Sequence, residues 1–204
     1  MTPTRLRGDT GQTLPIYIWL TTILLFAALA FFAFAQAAFA RNGAQSAADA
    51  AALAAAQEAR DELVLKLGDA VGGDDNWLDW LELPDDIQLP DNGAPAAELL
   101  AAENDSTVQV GPEYVVVDGY PGLRVGIQTD YTVGDSIIPG TEGMQATADA
   151  TAVIQPRCEF AVDADPTKPV TLDCDGQTVN IDPEDFDLDD LPDASVMFSV
   201  RLAE

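Results

Sequence analysis

The sequence predicts an α+β protein, in which a long N-terminal transmembrane helix is followed by a small, mostly antiparallel β domain. Three observations predict this fold. Residues 10–40 carry no charged side chain, and residues 14–35 are almost continuously apolar. The Ala-rich stretch that follows contains no proline and consists of good helix formers. From Ser106 onward, β-branched and aromatic residues alternate with polar ones, which is typical of strands.

The charges are distributed very unevenly along the 204 residues. Nine Lys and Arg face 35 Asp and Glu, which gives a formal net charge of −26, and the chain has no His. Residues 1–43 carry +2 and the remainder carries −28. The mean hydropathy of +0.05 therefore averages an apolar start and an acidic remainder. This charge excludes nucleic-acid binding by phosphate neutralisation, and the missing His removes the usual general base and commonest metal ligand.

The apolar run predicts a membrane span over residues 14–40. Its 22 most apolar residues cover roughly 33 Å as a helix, which is enough to cross a bilayer core. A cleaved signal peptide is the alternative, but its apolar region is only about 7 to 15 residues long. Arg5 and Arg7 precede the span, so we expect residues 1–13 to be cytoplasmic and everything after residue 40 to be exported.

Residues 41–68 are expected to continue the same helix outside the membrane, with Gly68 as its C-terminal stop. Alanines recur there at spacings of three and four and form one narrow face, which Asp49 and Leu53 interrupt. The alanines of this face are Ala47, Ala48, Ala51, Ala52, Ala55, Ala56 and Ala59. Small residues let helices approach closely, so the face predicts packing against a helix of another subunit or against the protein's own exported domain. The sequence leaves both interpretations open.

Residues 69–105 are predicted to be an acidic linker with short helices, and residues 106–204 a β-rich domain of about seven short strands. In the linker, Trp77, Leu78 and Leu81 share one helical face. This face would be a docking patch for a partner or, as aromatic residues at helical spacing favour, part of the domain core.

Cys158 and Cys174 are the two cysteines, and both lie in the part that we expect to be exported. An oxidising compartment favours a disulfide between them, and closing a loop of this length would stabilise the fold by about 3 kcal/mol. Two Cys without His or further Cys make a poor zinc site.

The acidic run at residues 182–190 has two interpretations. Clustered carboxylates suit calcium, but the run lacks the residue order of an EF-hand loop. A solvated acidic loop is the favoured interpretation, and calcium binding stays open.

Three segments together resemble the N-terminal module of TadE/TadG-like proteins of the Flp (Tad) pilus-assembly system. They are the sequence GQTLPIY from Gly11 to Tyr17, the apolar run, and the block QSAADAAALAAA from Gln45 to Ala56. The later sequences AVIQPRC (152–158) and LPDA (191–194) look similar to actinobacterial members. The resemblance covers roughly residues 8–60.

The resemblance implies a pseudopilin-like accessory or minor pilin component of a pilus or related secretion system. Its expected partners are the lipid bilayer and other pilin-like or pilus-assembly subunits. It would act through a helix-packing motif, whose residues are Gln45, Ala47, Ala48, Asp49, Ala51, Ala52, Leu53 and Ala55.

The resemblance also places a prepilin-type processing position between Gly11 and Gln12. The fifth residue after Gly11 is Ile16, where prepilins of this class usually carry an acidic residue. The sequence therefore leaves two possibilities, a chain cleaved after Gly11 that enters a fibre and an uncleaved, permanently anchored assembly factor.

No catalytic constellation is present in the sequence, which lacks His, a Gly-x-Ser-x-Gly motif and a phosphate loop. We therefore expect no enzyme activity, no cofactor, no metal and no small-molecule substrate. The expected location is the cell membrane, crossed once, with a cytoplasmic N-terminus and an extracellular C-terminal domain. The alternative function is a membrane-tethered extracellular binding or sensor domain, which predicts a concave apolar pocket in the β domain.

Overall fold

A computed structural model describes residues 13–71, 73, 76–83, 89, 93–132 and 143–203 of the chain. Its dominant element is helix α1, Thr13–Val71, whose 59 residues extend about 88 Å at the helical rise. Pro15 lies in the first turn, where its missing N–H costs little. The predicted long N-terminal helix and the α+β layout are confirmed.

Two short helices follow among the described residues of the region expected to be a linker. They are α2, Asp79–Glu82, and α3, Ala94–Glu103. Helix α3 packs along α1 and begins beside Ala55, where a methyl group added to Gly93 would lie 2.7 Å from the Ala55 carbonyl oxygen. The small residues Gly93 and Ala55 therefore allow the two chain segments to come very close.

The described strands form two antiparallel sheets. The larger sheet has the strand order β1-β2-β3-β7, with β1 Ser106–Val117, β2 Tyr120–Thr132, β3 Gln145–Pro156 and β7 Phe198–Leu202. The smaller sheet has the order β4-β5-β6, with β4 Cys158–Glu159, β5 Val170–Cys174 and β6 Gln177–Ile181. A 3-10 turn, Leu188–Asp190, and helix α4, Ala194–Met197, precede β7.

The core lies between the second half of α1 and the larger sheet. Alternate residues of β2, including Val125 and Ile127, and of β3, including Ala152 and Ile154, are buried in one cluster with the α1 alanines. This alternation follows from the strand period of two, which points every second side chain to the same face. One continuous core therefore joins the helix to the β domain.

The first half of α1 has no such cover. Its large apolar side chains are exposed, for example Trp19 at 72% and Phe39 at 82%. By length and composition, α1 is able to cross a membrane, and its most apolar window is not buried by the rest of the chain. Burial along α1 begins at Ala40.

Candidate functional site

The alanine face of α1 is fully buried by the protein's own domain. The six alanines Ala47, Ala48, Ala51, Ala52, Ala55 and Ala56 have no exposed surface. Strands β2 and β3 and helix α3 pack against this part of α1. The burial agrees with the interpretation that the face packs on the exported domain. Packing of the motif against another subunit stays a prediction and would have to involve the exposed side of the helix.

The polar members of the motif connect α1 to β3. The Gln45 side-chain amide donates to the Asp49 carboxylate at 2.8 Å, one helical turn further on, and lies 3.5 Å from the Asp149 carbonyl oxygen of β3. Pairs at this spacing stabilise a helix modestly. Asp49 and Leu53 are half-buried, whereas Gln45 is exposed. Gln45 and Asp49 therefore lie at the edge of the interface between α1 and the larger sheet.

Two glycines of α1 make room for distant side chains. A methyl group at Gly43 would collide with the Tyr131 hydroxyl at the end of β2, and one at Gly68 would collide with Leu188. The expectation that Gly68 ends the helix is wrong, because α1 continues to Val71. Gly68 instead provides the space that brings the 3-10 turn against the helix.

Cys158 and Cys174 form a disulfide in the structure. They are directly opposite each other on β4 and β5, and both are buried. The bond therefore lies within the smaller sheet and links its adjacent strands β4 and β5.

Trp77 is a core residue rather than part of an exposed patch. It is 1% exposed, and its indole N–H donates to the Pro166 carbonyl oxygen at 2.9 Å. Leu78 and Leu81 are also buried. Since a docking surface must be exposed, the structure favours the core interpretation of this helical face.

The loop that receives Trp77 is held by a small charged network. Lys168 pairs with the Asp165 carboxylate at 2.7 Å, and Thr167 donates to the same carboxylate through its hydroxyl and backbone N–H. The Lys168 hydrogen bond and then those from Thr167 hold the pKa of Asp165 far below its usual value, and Asp165 raises the pKa of Lys168.

Several acidic residues near the C-terminus accept hydrogen bonds from nearby backbone N–H groups and so cap short turns. In the acidic run, Asp187 accepts a hydrogen bond from the backbone N–H of Asp189, and Asp190 accepts one from that of Asp187. In α4, hydrogen bonds from the backbone and hydroxyl of Ser195 lower the pKa of Asp193. Within the part of the chain that the structure describes, no group of three or more His, Cys, Asp or Glu side chains is placed to hold a metal ion.

The β domain has shallow surface depressions with mixed linings. One, of about 440 Å³, lies over the larger sheet and contains Glu113 and the exposed ion pair between Arg124 and Asp149, 2.8 Å apart. Another, of about 560 Å³, lies beside the disulfide and contains Arg157 and Glu159. Each of these two depressions therefore combines charged and apolar side chains.

The processing position, Gly11 and Gln12, lies outside the described residues, as do Arg5 and Arg7. The same holds for residues 84–88 and 90–92 of the region expected to be a linker. The processing position and the cytoplasmic N-terminus therefore stay predictions.

The fold defines a protein in which one long, partly apolar helix carries a compact β domain. Residues 11–58 match the family model of putative Flp pilus-assembly TadE/G-like proteins, which covers about a quarter of the chain. The match includes the apolar half of α1 and the alanine block and ends before the β domain. No match to the chain was found among curated proteins or among solved structures.

The resemblance that the sequence shows to the TadE/TadG-like proteins is thus confirmed for the N-terminal module. The chain carries a segment that matches Flp pilus-assembly proteins on a helix that is able to span a membrane, and these two findings support a pilus-related component.

Proposed function

We propose that the protein is a membrane-anchored, pseudopilin-like accessory or minor pilin component of a Flp (Tad)-type pilus or related secretion system. It acts by helix packing and assembly, without catalysis. The observation that carries the proposal is that the family match lies on α1 and includes both its exposed apolar half and its alanine block. Its partners are the lipid bilayer and other pilin-like or pilus-assembly subunits.

In this proposal residues 14–40 cross the cell membrane once. Exposed side chains such as Trp19 and Phe31 would lie in lipid, which removes the cost of leaving large apolar surface in water. Residues 1–13 stay cytoplasmic because of Arg5 and Arg7, and the acidic domain is extracellular.

The packing of α1 restricts where partners can bind. The alanine face is occupied by the β domain, so a neighbouring subunit has two surfaces left on the described helix. One is the apolar half. The other is the polar side of the second half, where Ser46, Gln57 and Glu58 are exposed. We propose that assembly contacts use the apolar half, with the polar side as their extension above the membrane.

Photocrosslinking in intact cells tests this proposal. A photoreactive amino acid at Phe31, Ser46 or Gln57 should give crosslinks to pilin-like subunits. Mass spectrometry of the crosslinked products would identify the partner chains, and their sequences should contain an N-terminal apolar helix. Val162, which is fully exposed in the β domain, is the matched control and should give no such product. Membrane-located protein that yields only monomer at Phe31, Ser46 and Gln57 would contradict the assembly role.

Two versions of the proposal differ at the processing position. Cleavage after Gly11 would leave Gln12 as the first residue and allow entry into a fibre. Without cleavage the chain stays anchored, and Ile16 favours this version because the acidic residue of the prepilin pattern is missing.

A further inference from the structure

We propose that Tyr131 and Met144, which lie at one end of the β domain, contact the headgroups of zwitterionic lipids. We call these two residues the base of the domain, and Arg41 lies two residues before Gly43, which Tyr131 contacts. The inference rests on the proposed membrane anchoring of α1, and it adds a second contact that fixes the orientation of the domain on the membrane.

The geometry places the base where α1 would leave the membrane. The Tyr131 hydroxyl packs against Gly43, so closely that a methyl group there would collide with it. The next residue, Thr132, pairs with Gln145 at the start of β3, and Met144 immediately precedes that pair. The end of β2 and the start of β3 therefore lie beside the first exported turn of the helix.

The distances agree with contact at the headgroup level. The uncharged run ends at Ala40, and its last large side chain, Phe39, is 82% exposed. Gly43 lies four residues beyond Phe39, which is about 6 Å along a helix. The headgroup layer of one leaflet is about 5 to 8 Å thick, because a bilayer of 40–45 Å has a core of about 30 Å. The Tyr131 hydroxyl thus reaches the layer that begins where the hydrocarbon ends.

The side chains of the base suit this layer. Tyr131 is 37% exposed and Met144 is 56% exposed. Tyrosine is enriched at membrane interfaces, since its ring is apolar and its hydroxyl polar, and methionine adds a flexible apolar surface. Arg41 is exposed one residue after the apolar run, where a guanidinium can pair with lipid phosphate.

The charges of the described residues near the base favour one kind of lipid. Asp105 and Asp130 are both exposed close to the base, and the backbone N–H of Asp130 donates to the Asp105 carbonyl oxygen at 2.8 Å. Their carboxylates would be repelled by an anionic surface and would tolerate a zwitterionic one, whose outer groups are cationic. The base is therefore assigned to zwitterionic headgroups.

Spin labelling of the full chain in phosphatidylcholine nanodiscs tests the inference. A nitroxide is attached to a single new cysteine in the variants Met144→Cys, Phe31→Cys and Val162→Cys, and unsubstituted protein serves as a check that the disulfide cysteines take no label. Collision rates with oxygen and with a water-soluble nickel chelate report the depth of each label. Val162 is the aqueous reference, because it lies past the far end of β3, whose 12 residues extend about 36 Å.

We expect Phe31→Cys to be inaccessible to nickel and the ratio of oxygen to nickel collisions at Met144→Cys to be clearly higher than at Val162→Cys. The ratio is compared because burial within the protein lowers both collision rates. If the ratio at Met144→Cys equals that at Val162→Cys while Phe31→Cys is protected, the anchoring stands and the lipid contact of the base is overturned. If Phe31→Cys is itself fully accessible, the anchoring proposal fails, and the inference fails with it.

Discussion

The two parts of α1 are continuous in backbone but opposite in surface. In residues 14–39 the large apolar side chains are exposed, whereas in residues 40–71 the contact face is mostly alanine and is buried. Both parts are α-helical, so secondary structure does not distinguish them. Side-chain size and burial do, because the first part leaves large apolar surface uncovered, and the alanines of the second part allow other backbones to approach.

The alanine face stabilises the fold because it allows close packing, and not because each alanine buries a large apolar surface. A buried alanine removes little apolar surface from water, yet it loses no side-chain entropy on folding. It also admits close neighbours, as at Ala55, where α3 begins beside Gly93. The second part of α1 is therefore a structural element of the β domain, and the first part is not.

The largest expected difference concerns leucine truncation in the two parts. Leu63→Ala removes a fully buried side chain and should lower the free energy of unfolding by about 2 to 5 kcal/mol. Leu29→Ala, at an exposed position of the apolar part, is the matched control and should change it far less in detergent micelles. Urea unfolding followed by near-UV circular dichroism measures both. Equal losses of unfolding free energy in the two variants would contradict the difference between the two parts of α1.

The disulfide should contribute to the same folding unit as the second part of α1. Replacing Cys158 and Cys174 by Ala should lower the free energy of unfolding by about 3 kcal/mol. Alkylation of the protein unfolded in urea without reductant, followed by mass spectrometry, should leave both cysteines unmodified. Two alkylated thiols would show that the bond does not form.

Enlarging an alanine in each part of α1 tests the same difference between the two parts. Ala52→Leu inserts three carbons into a fully buried contact and should destabilise the domain by about 1 to 3 kcal/mol. Ala28→Leu makes the same change on the exposed apolar part and should be nearly neutral. Thermal unfolding in micelles compares the pair, and a tolerated Leu at residue 52 would mean that the alanine face is not closely packed.

The smallest expected effect depends on pH and is confined to the β domain. The pKa of Asp165 is lower in the folded chain than the value of about 3.9 expected when unfolded. Such a carboxylate stabilises the fold above the unfolded pKa, and this contribution is lost as the pH falls through the folded pKa. Asp165→Asn should therefore lose less stability than the unsubstituted chain between pH 7 and pH 2. Identical acid titrations of stability would contradict the pairing with Lys168.

Local patterns in the sequence predicted the elements well. Period and composition indicated α1, the strands after Ser106 and the cysteine pair, because each depends on neighbouring residues or on a count. They also identified the alanine face, but not what covers it. An alanine face can pack against a strand or against another helix, so composition alone could not choose between the protein's own domain and a partner.

The contacts that position the base of the domain had no signal in the sequence. Gly43 and Tyr131 are 88 residues apart, and nothing in either local pattern marks the pairing. Gly68 shows the same limit, since a glycine near a helix end usually indicates a stop, and here tertiary packing against Leu188 uses its small size inside the helix. In both cases, contact with a residue far away in the sequence determines the role of the glycine.

Anchoring by the apolar half of α1 is tested most directly by the first residue of the mature protein in the membrane fraction, which mass spectrometry of the N-terminal peptide identifies. We expect a start at Met1 or Thr2 for a permanent anchor, or at Gln12 for a processed subunit, and in each case the apolar half of α1 is retained. A start near Asn42 would mean that the apolar half is removed as a signal peptide, which would contradict the anchored helix on which the proposed function depends.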